Sequence, residues 1–246
     1  MHHTISTTAH PAFGPMAGRR NFDGVPLQNR LLASLDPAGL EALKPHIETH
    51  RLDQDEVLFE ADQPPSHVYF PDSAGVSLAC VLDGRMTVAG TVGREGMVGV
   101  GIFLGQETSL LRASTHLAGM SRRMSTTAFK QLATADGPLH HLMLGYTNAF
   151  LGQIIETQRC NALHRVEQRC ARWLLVTSQR ADATEFPLAP ELLALVIGTH
   201  AAGVLAGLRA LEQRGLIEYD RSHVRVLDVR ALEDAACACT RMIRGS

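Results

Sequence analysis

Residues 188–228 read LAPELLALVIGTHAAGVLAGLRALEQRGLIEYDRSHVRVLD, and the periodicity of this stretch decides the fold. Leu193, Val196 and Ile197 recur at helical spacing behind Pro190, which suits a first helical position. Gly198 stands where a left-handed turn residue is needed, and Val204, Leu208 and Leu211 resume the apolar period. The spacing predicts a helix over 190–197, a turn at 198, a second helix over 201–214 and a stop at Gly215. After the stop, LIEY and VRVLD have strand composition and are separated by Asp-Arg-Ser-His, which predicts a β-wing. Two helices joined by a glycine turn and followed by a wing form a winged helix-turn-helix. That motif lays its second helix in the major groove of duplex DNA, while the wing and helix starts touch phosphates.

Working back toward the N-terminus, VEQRCARWLLVTSQRA puts Val166, Cys170, Trp173, Leu174 and Thr177 on one helical face, and a polar loop over 181–185 follows it. Before it lies a much longer pattern over 136–161. Leu139, Leu142 or Met143, Tyr146, Ala149 or Phe150, Gln153, Thr157 and Cys160 step by three and four. Such a seam needs cover along its whole length. The economical cover is a second copy of the same helix, in a parallel two-fold pair. The other arrangement open to it is to lie across its own domain.

Residues 51–128 have a different texture. The runs 57–59, 67–70, 76–82, 86–92 and 113–117 are short and β-rich, and turn signals such as Pro64-Pro65, Pro71-Asp72 and Asp83-Gly84 separate them. Many short strands at close spacing predict an antiparallel β-barrel or jelly roll. Ahead of them, Leu31, Leu32, Leu35, Leu40 and Leu43 predict two short helices over 29–34 and 37–49, the second capped by Asp36 before Pro37. The fold class is therefore α+β. Its parts are a disordered arm over 1–24, a sensor barrel over 25–135, a dimerisation helix over 136–163 and a winged helix-turn-helix over 164–246.

Composition narrows the function classes. Of the 246 residues 45% are apolar, and 23 basic against 25 acidic side chains leave a net charge of −2. A nucleic-acid contact must then come from a local patch rather than a global field. No apolar run approaches the ~20 residues of a membrane span, and the first 24 residues have no apolar core of a signal peptide. Five cysteines without framework spacing predict reduced thiols and a cytoplasmic location. No P-loop, nucleophile triad or paired carboxylate arrangement is visible, so no enzyme is expected.

Several stretches together resemble the Crp/Fnr family of bacterial regulators over residues 28–240. They are HVYFPDSAGVSL (67–78), GTVGREGMVGVGIFLG (90–105), CNALHRVEQRCARWLL (160–175) and IGTHAAGVLAGLRALEQRGLIEY (197–219) followed by VRVLD. The resemblance implies a cyclic-nucleotide-binding-like barrel that senses a signal, a homodimer joined along the long helix, and a pair of winged helix-turn-helix units on double-stranded DNA. It further implies RNA polymerase and a small-molecule effector as partners, no membrane and no enzymatic activity.

Two departures qualify the resemblance. Where cyclic-nucleotide-binding members carry Gly-Glu and Arg-Ser, this chain has Gly99-Val100 and Arg112-Ala113, and the Thr-Ser of their long helix aligns with Ile154-Ile155. A nucleotide there would leave buried donors unpaired at about 1–3 kcal/mol each, so cyclic AMP and cyclic GMP are not expected as ligands. No cysteine precedes Cys80, so the family's iron–sulfur ligands are absent and no cofactor is expected. The second departure is a bare recognition helix. Its groove-facing positions are Ala201, Ala202 and Ala206, with Gly203 and Gly207 nearby, and Leu205 is counted with them among the DNA-contacting residues. Alanine cannot make bidentate guanine contacts worth about 1–3 kcal/mol each. Thr199, His200 and Arg209, with Arg221, His223 and Arg225 on the wing, remain for phosphate and thymine-methyl contacts, which implies shape-led reading. The other reading is a degenerate member that binds a partner and little DNA.

Other motifs read as structure. His46 and His50 fall at i,i+4 of the expected helix but lack a third ligand, and His140-His141 project too far apart to share a metal. Cys237-Ala238-Cys239 reads as a packed terminal helix rather than a metal clip. Arg122-Arg123 reads as a solvated pair between strands, and Gly-Arg-Glu-Gly at 93–96 is a phosphate loop in appearance only. No metal site is expected.

Overall fold

The computed structural model describes residues 21–22 and 25–240. The arm expected over 1–24 lies outside the described residues except for Asn21–Phe22 (β1), which pairs with Val25–Pro26 (β2). Helix α1 (Arg30–Ala33) is capped by Asn29, and α2 (Pro37–Leu43) by Asp36, whose carboxylate accepts from the Gly39 N–H at 2.7 Å. Helix α2 stops earlier than expected. Lys44–His46 form one 3₁₀ turn, and Ile47–Leu52 become strand β3. His46 and His50 therefore share no helix, because pairing with a distant strand overrides the local helical period.

The β-domain continues with β4 (Val57–Phe59), β5 (His67–Pro71), β6 (Gly75–Leu82), β7 (Arg85–Val92), a one-turn helix α3 (Val100–Phe103), β8 (Arg112–Leu117) and β9 (Gly119–Ser125). The strands form two antiparallel sheets, ordered β3-β9-β5 and β4-β8-β6-β7. Both contribute to one core, with Leu52, Phe70 and Met124 from the first sheet and Phe59, Val76 and Ala113 from the second. The β6–β7 hairpin turns on Asp83 and Gly84, both at positive φ, as the dipeptide predicts. Strand β9 carries no apolar alternation that would announce it. Arg122, expected in solvent, is instead 1% exposed, and its guanidinium donates to Asp72 at 2.8 Å. Arg123 on the opposite face pairs with Glu48.

Helix α4 (Thr126–Leu132) leads to α5 (His140–Leu163), which begins after Gly137-Pro138 and not at 136. Its 24 residues span about 36 Å. Helix α6 (Val166–Ala181), β10 (Glu185–Pro187), α7 (Pro190–Ile197), α8 (Ala201–Gln213), β11 (Ile217–Asp220), β12 (His223–Val226) and α9 (Val229–Ala235) complete the chain. A second core gathers Trp173, Leu174, Leu193, Ile197, Val204 and Leu208. Among the described residues no single helix is long and apolar enough to cross a membrane.

Candidate nucleic-acid interface

Helices α7 and α8 meet at 98°, within the roughly 90–120° of a helix-turn-helix. Gly198 at φ 64° ends α7, where a side chain would be strained. Ala189 leaves α7 without a side-chain cap, as its composition predicts. Helix α8 starts on His200, whose Nδ1 accepts the Gly203 N–H at 3.0 Å. That ring nitrogen is thereby committed to the cap.

Two side chains that the local pattern did not single out hold the turn. Asn161, near the end of α5, donates to the Val196 carbonyl at 3.1 Å. Buried Arg169 on α6 donates to the carbonyls of Ile197 and Gly198. A cation on the last carbonyls of α7 also complements the negative end of its dipole. Both contacts link residues 28–35 positions apart, beyond the reach of any local period.

The expected site residues distribute as follows. His200, Ala202, Arg209, Arg221, His223 and Arg225 are exposed, and Thr199, Ala201 and Leu205 are half-buried. Sheet β10-β12-β11 carries the wing. Arg225 is engaged there by Glu185 at 2.9 Å and Glu218 at 3.3 Å. Its charge is largely met within the wing, unlike the reading that gave it to a phosphate. Arg221 sits at the wing tip with φ 45°, and its carbonyl accepts from Tyr219 Oη at 3.0 Å.

The face of α5 is also reassigned. Met143, Tyr146 and Phe150 pack into the core of the chain's own β-domain, and Tyr146 Oη donates to the Met97 carbonyl at 2.8 Å. Much of the seam anticipated for a second copy is thus covered internally. A different stripe lies open: Leu144, Leu151 at 55% and Ile155 at 60% exposure. Their spacing of seven and four places them along one side of the helix.

A cavity of about 290 Å³ opens on the β-domain, lined by Phe59, Leu78, Val100, Ile102, Leu111 and Phe150 with Gly99 at its edge. Of the six residues expected for a ligand pocket, Gly99 and Val100 line it. Ala113 is fully buried, Ile154 packs against the core, and Ile155 faces outward. Arg112 approaches Glu60 at 3.6 Å and borders a separate cleft of about 580 Å³ between the β-domain and the wing.

The architecture defined by these parts is an antiparallel β-domain, a long helix and a winged helix-turn-helix. Residues 168–235 match the family model described as the Crp-like helix-turn-helix domain. No curated protein matches the chain in sequence. Among solved structures, FixK2 from Bradyrhizobium japonicum is 17% identical with a TM-score of 0.65, covering 78% of this chain and 98% of its own. CLP from Xanthomonas campestris, described as a c-di-GMP responsive global regulator, is 21% identical with a TM-score of 0.58, covering 78% and 100%. A CRP family transcriptional regulator from Thermus thermophilus is 18% identical with a TM-score of 0.63, covering 76% and 96%. At these identities the likeness establishes the fold. The chain carries a Crp-like helix-turn-helix domain and has the architecture of Crp/Fnr regulators.

Proposed function

We propose that the chain is a homodimeric, DNA-binding transcription regulator. The observation that carries this reading is the outward face of α8, set at 98° to α7 on a turn anchored by Asn161 and Arg169. The small side chains of that face let the helix backbone approach a groove closely. Arg209 on α8 and Arg221 on the wing are exposed and are the cations assigned to phosphates. Thymine methyls and groove shape then supply what selectivity the alanines permit. The domain division over 25–135, 136–163 and 164–246 gives these parts their roles: sensor, dimer helix and reader. RNA polymerase is the partner such a regulator would address.

The open stripe Leu144, Leu151 and Ile155 favours a two-fold helix pair, because exposed leucine and isoleucine along one helix gain from mutual burial. For the sensor, the apolar lining of the 290 Å³ cavity and the placement of Arg112 outside it favour an apolar effector over a cyclic nucleotide.

A mobility-shift series against genomic fragments at graded salt tests the reading. A saturable complex whose affinity falls with salt supports it. A folded dimer that forms no such complex at low salt would replace it with a partner-binding role, which the internal pairing of Arg225 with Glu185 and Glu218 favours.

A further inference from the structure

Cys160 and His164 lie one turn apart at the end of α5, on one side of the helix. Cys237 and Cys239 lie just beyond α9, not in a terminal helix as the sequence suggested. The fold brings these four together across more than 70 positions. Cys160 Sγ is 3.4 Å from Cys237 Sγ, and Cys239 Sγ is 3.6 Å from His164 Nδ1. All four ligand atoms lie within 4.8 Å of one another. The three thiols are buried, form a core of their own apart from the two larger ones, and are not joined by a disulfide.

We propose that Cys160, His164, Cys237 and Cys239 form a structural zinc site that clips the segment after α9 to the end of the long helix. The donor set is one of the usual closed, four-coordinate zinc sets. Ligand bonds of about 2.3 Å to sulfur and 2.0–2.1 Å to nitrogen in a tetrahedron require S···S edges near 3.8 Å and S···N edges near 3.6 Å. The Cys160–Cys237 and Cys239–His164 separations are within a few tenths of an ångström of these, and the remaining edges, none above 4.8 Å, need to close by no more than about 1 Å. On binding, each thiol releases its proton to water, the imidazole offers the Nδ1 lone pair, and no electron is transferred.

Charge also fits. Zn²⁺ with three thiolates carries one net negative charge. The guanidinium of Arg172 is buried within electrostatic range of Cys160, and its Nε has no hydrogen-bond partner. A buried, incompletely paired cation is costly unless an anion faces it. Glu156, buried against Cys239, gives Arg172 one negative charge, and the zinc-thiolate group would add a second beside the guanidinium edge that has no partner. The Thr240 N–H and hydroxyl both donate to the Cys237 carbonyl, at 3.2 and 2.9 Å, which closes the turn presenting the two tail cysteines.

The consequence is mechanical. Asn161, which holds the helix-turn-helix, lies between Cys160 and His164, so the clip would fasten the junction through which the long helix meets the DNA-binding unit.

The test uses the full chain, purified reduced and without chelator from zinc-supplemented cells. Elemental analysis is expected to give one zinc per chain, retained through gel filtration. Replacement by cobalt should give thiolate charge-transfer and four-coordinate ligand-field absorption. Second-sphere changes alone weaken zinc sites by about 10–100-fold, so Cys239→Ser and His164→Ala should each lower zinc affinity by more than about tenfold. Cys80→Ser, outside the cluster, should leave it unchanged. His164 is partly exposed, so His164→Ala keeps the fold intact for measurement, with circular dichroism as the check. Reduced protein that takes up no zinc, zinc binding undiminished in both ligand variants, or an octahedral cobalt spectrum would each overturn the proposal. So would a Cys160–Cys237 disulfide as the resting state of protein isolated without oxygen.

Discussion

Arg180, on α6 ahead of the winged helix-turn-helix, inserts its guanidinium into the β-domain and pairs with Glu95, both side chains being buried. Its Nη1 also donates to Thr91 Oγ1 at 2.7 Å, and the Arg94 side chain reaches back to the Arg180 carbonyl. The Gly-Arg-Glu-Gly turn at 93–96 is thus filled by an arginine of the same chain. A Cβ at Gly93 would lie 2.5 Å from Arg180 Cδ, so glycine is what lets the guanidinium enter.

Removing one partner of this pair should be costly, because the other is left charged and buried. Arg180→Met is expected to lower unfolding stability by about 3–5 kcal/mol, while Arg180→Met with Glu95→Leu loses markedly less. Urea unfolding of the three proteins checks this. Equal losses for single and double variants would show that the pair is not the coupling.

Dimerisation should depend on the outward stripe of α5 and not on its buried face. Leu151→Glu with Ile155→Glu is expected to weaken self-association by at least roughly 100-fold, since two apolar side chains become repelling charges at one seam. Sedimentation equilibrium reads the change. A dimer of undiminished affinity would place the interface elsewhere.

Phosphate contacts are separable by their salt dependence. Arg209→Ala and Arg221→Ala should each reduce the slope of log affinity against log salt by about 1 and weaken all sequences alike. Arg225→Ala should change the slope less, because Glu185 and Glu218 already hold that guanidinium. The ranking fails if Arg225→Ala has the largest slope change.

Burial against Trp173 and Ser77, with a smaller contribution from Arg180, pushes the imidazole of His116 down to about 3. Below its ordinary value of 6.5 the unfolded chain takes up a proton that the native ring refuses. The stability is therefore complete above pH 6.5 and declines on acidification, by roughly 1–2 kcal/mol between pH 6.5 and 5. This window lies above carboxylate titration. His116→Gln should flatten the decline in urea midpoints over it, and an unchanged slope would assign the acid sensitivity to another group.

Cyclic AMP at millimolar concentration should leave the melting temperature unmoved, because the β-domain cavity is lined by apolar groups and Arg112 is turned outside it. A rise of several degrees would show a nucleotide site.

Legibility in the sequence followed the range of the interaction involved. The Asp83-Gly84 hairpin, the Asp36 cap, the Gly198 turn and the Gly215 stop rest on contacts within a few residues, and each could be read directly. Strand β9 could not. Its buried Arg122 pairs with Asp72, 50 positions away, and a buried arginine breaks the alternation that marks a strand. The first half of β3, residues 47–49, has a local helical period, and only its pairing with β9 makes it strand.

Local chemistry alone sufficed for the helix-turn-helix with its wing, the long helix ahead of it and the bareness of the recognition helix, since periodicity and turn preference act over a few residues. Tertiary packing alone chose which face of α5 met the β-domain, because that helix is apolar on more than one side and periodicity cannot rank the sides. It also assembled Cys160, His164, Cys237 and Cys239, and seated Arg180 on Glu95, because groups 70–85 positions apart are brought together only when the whole chain closes.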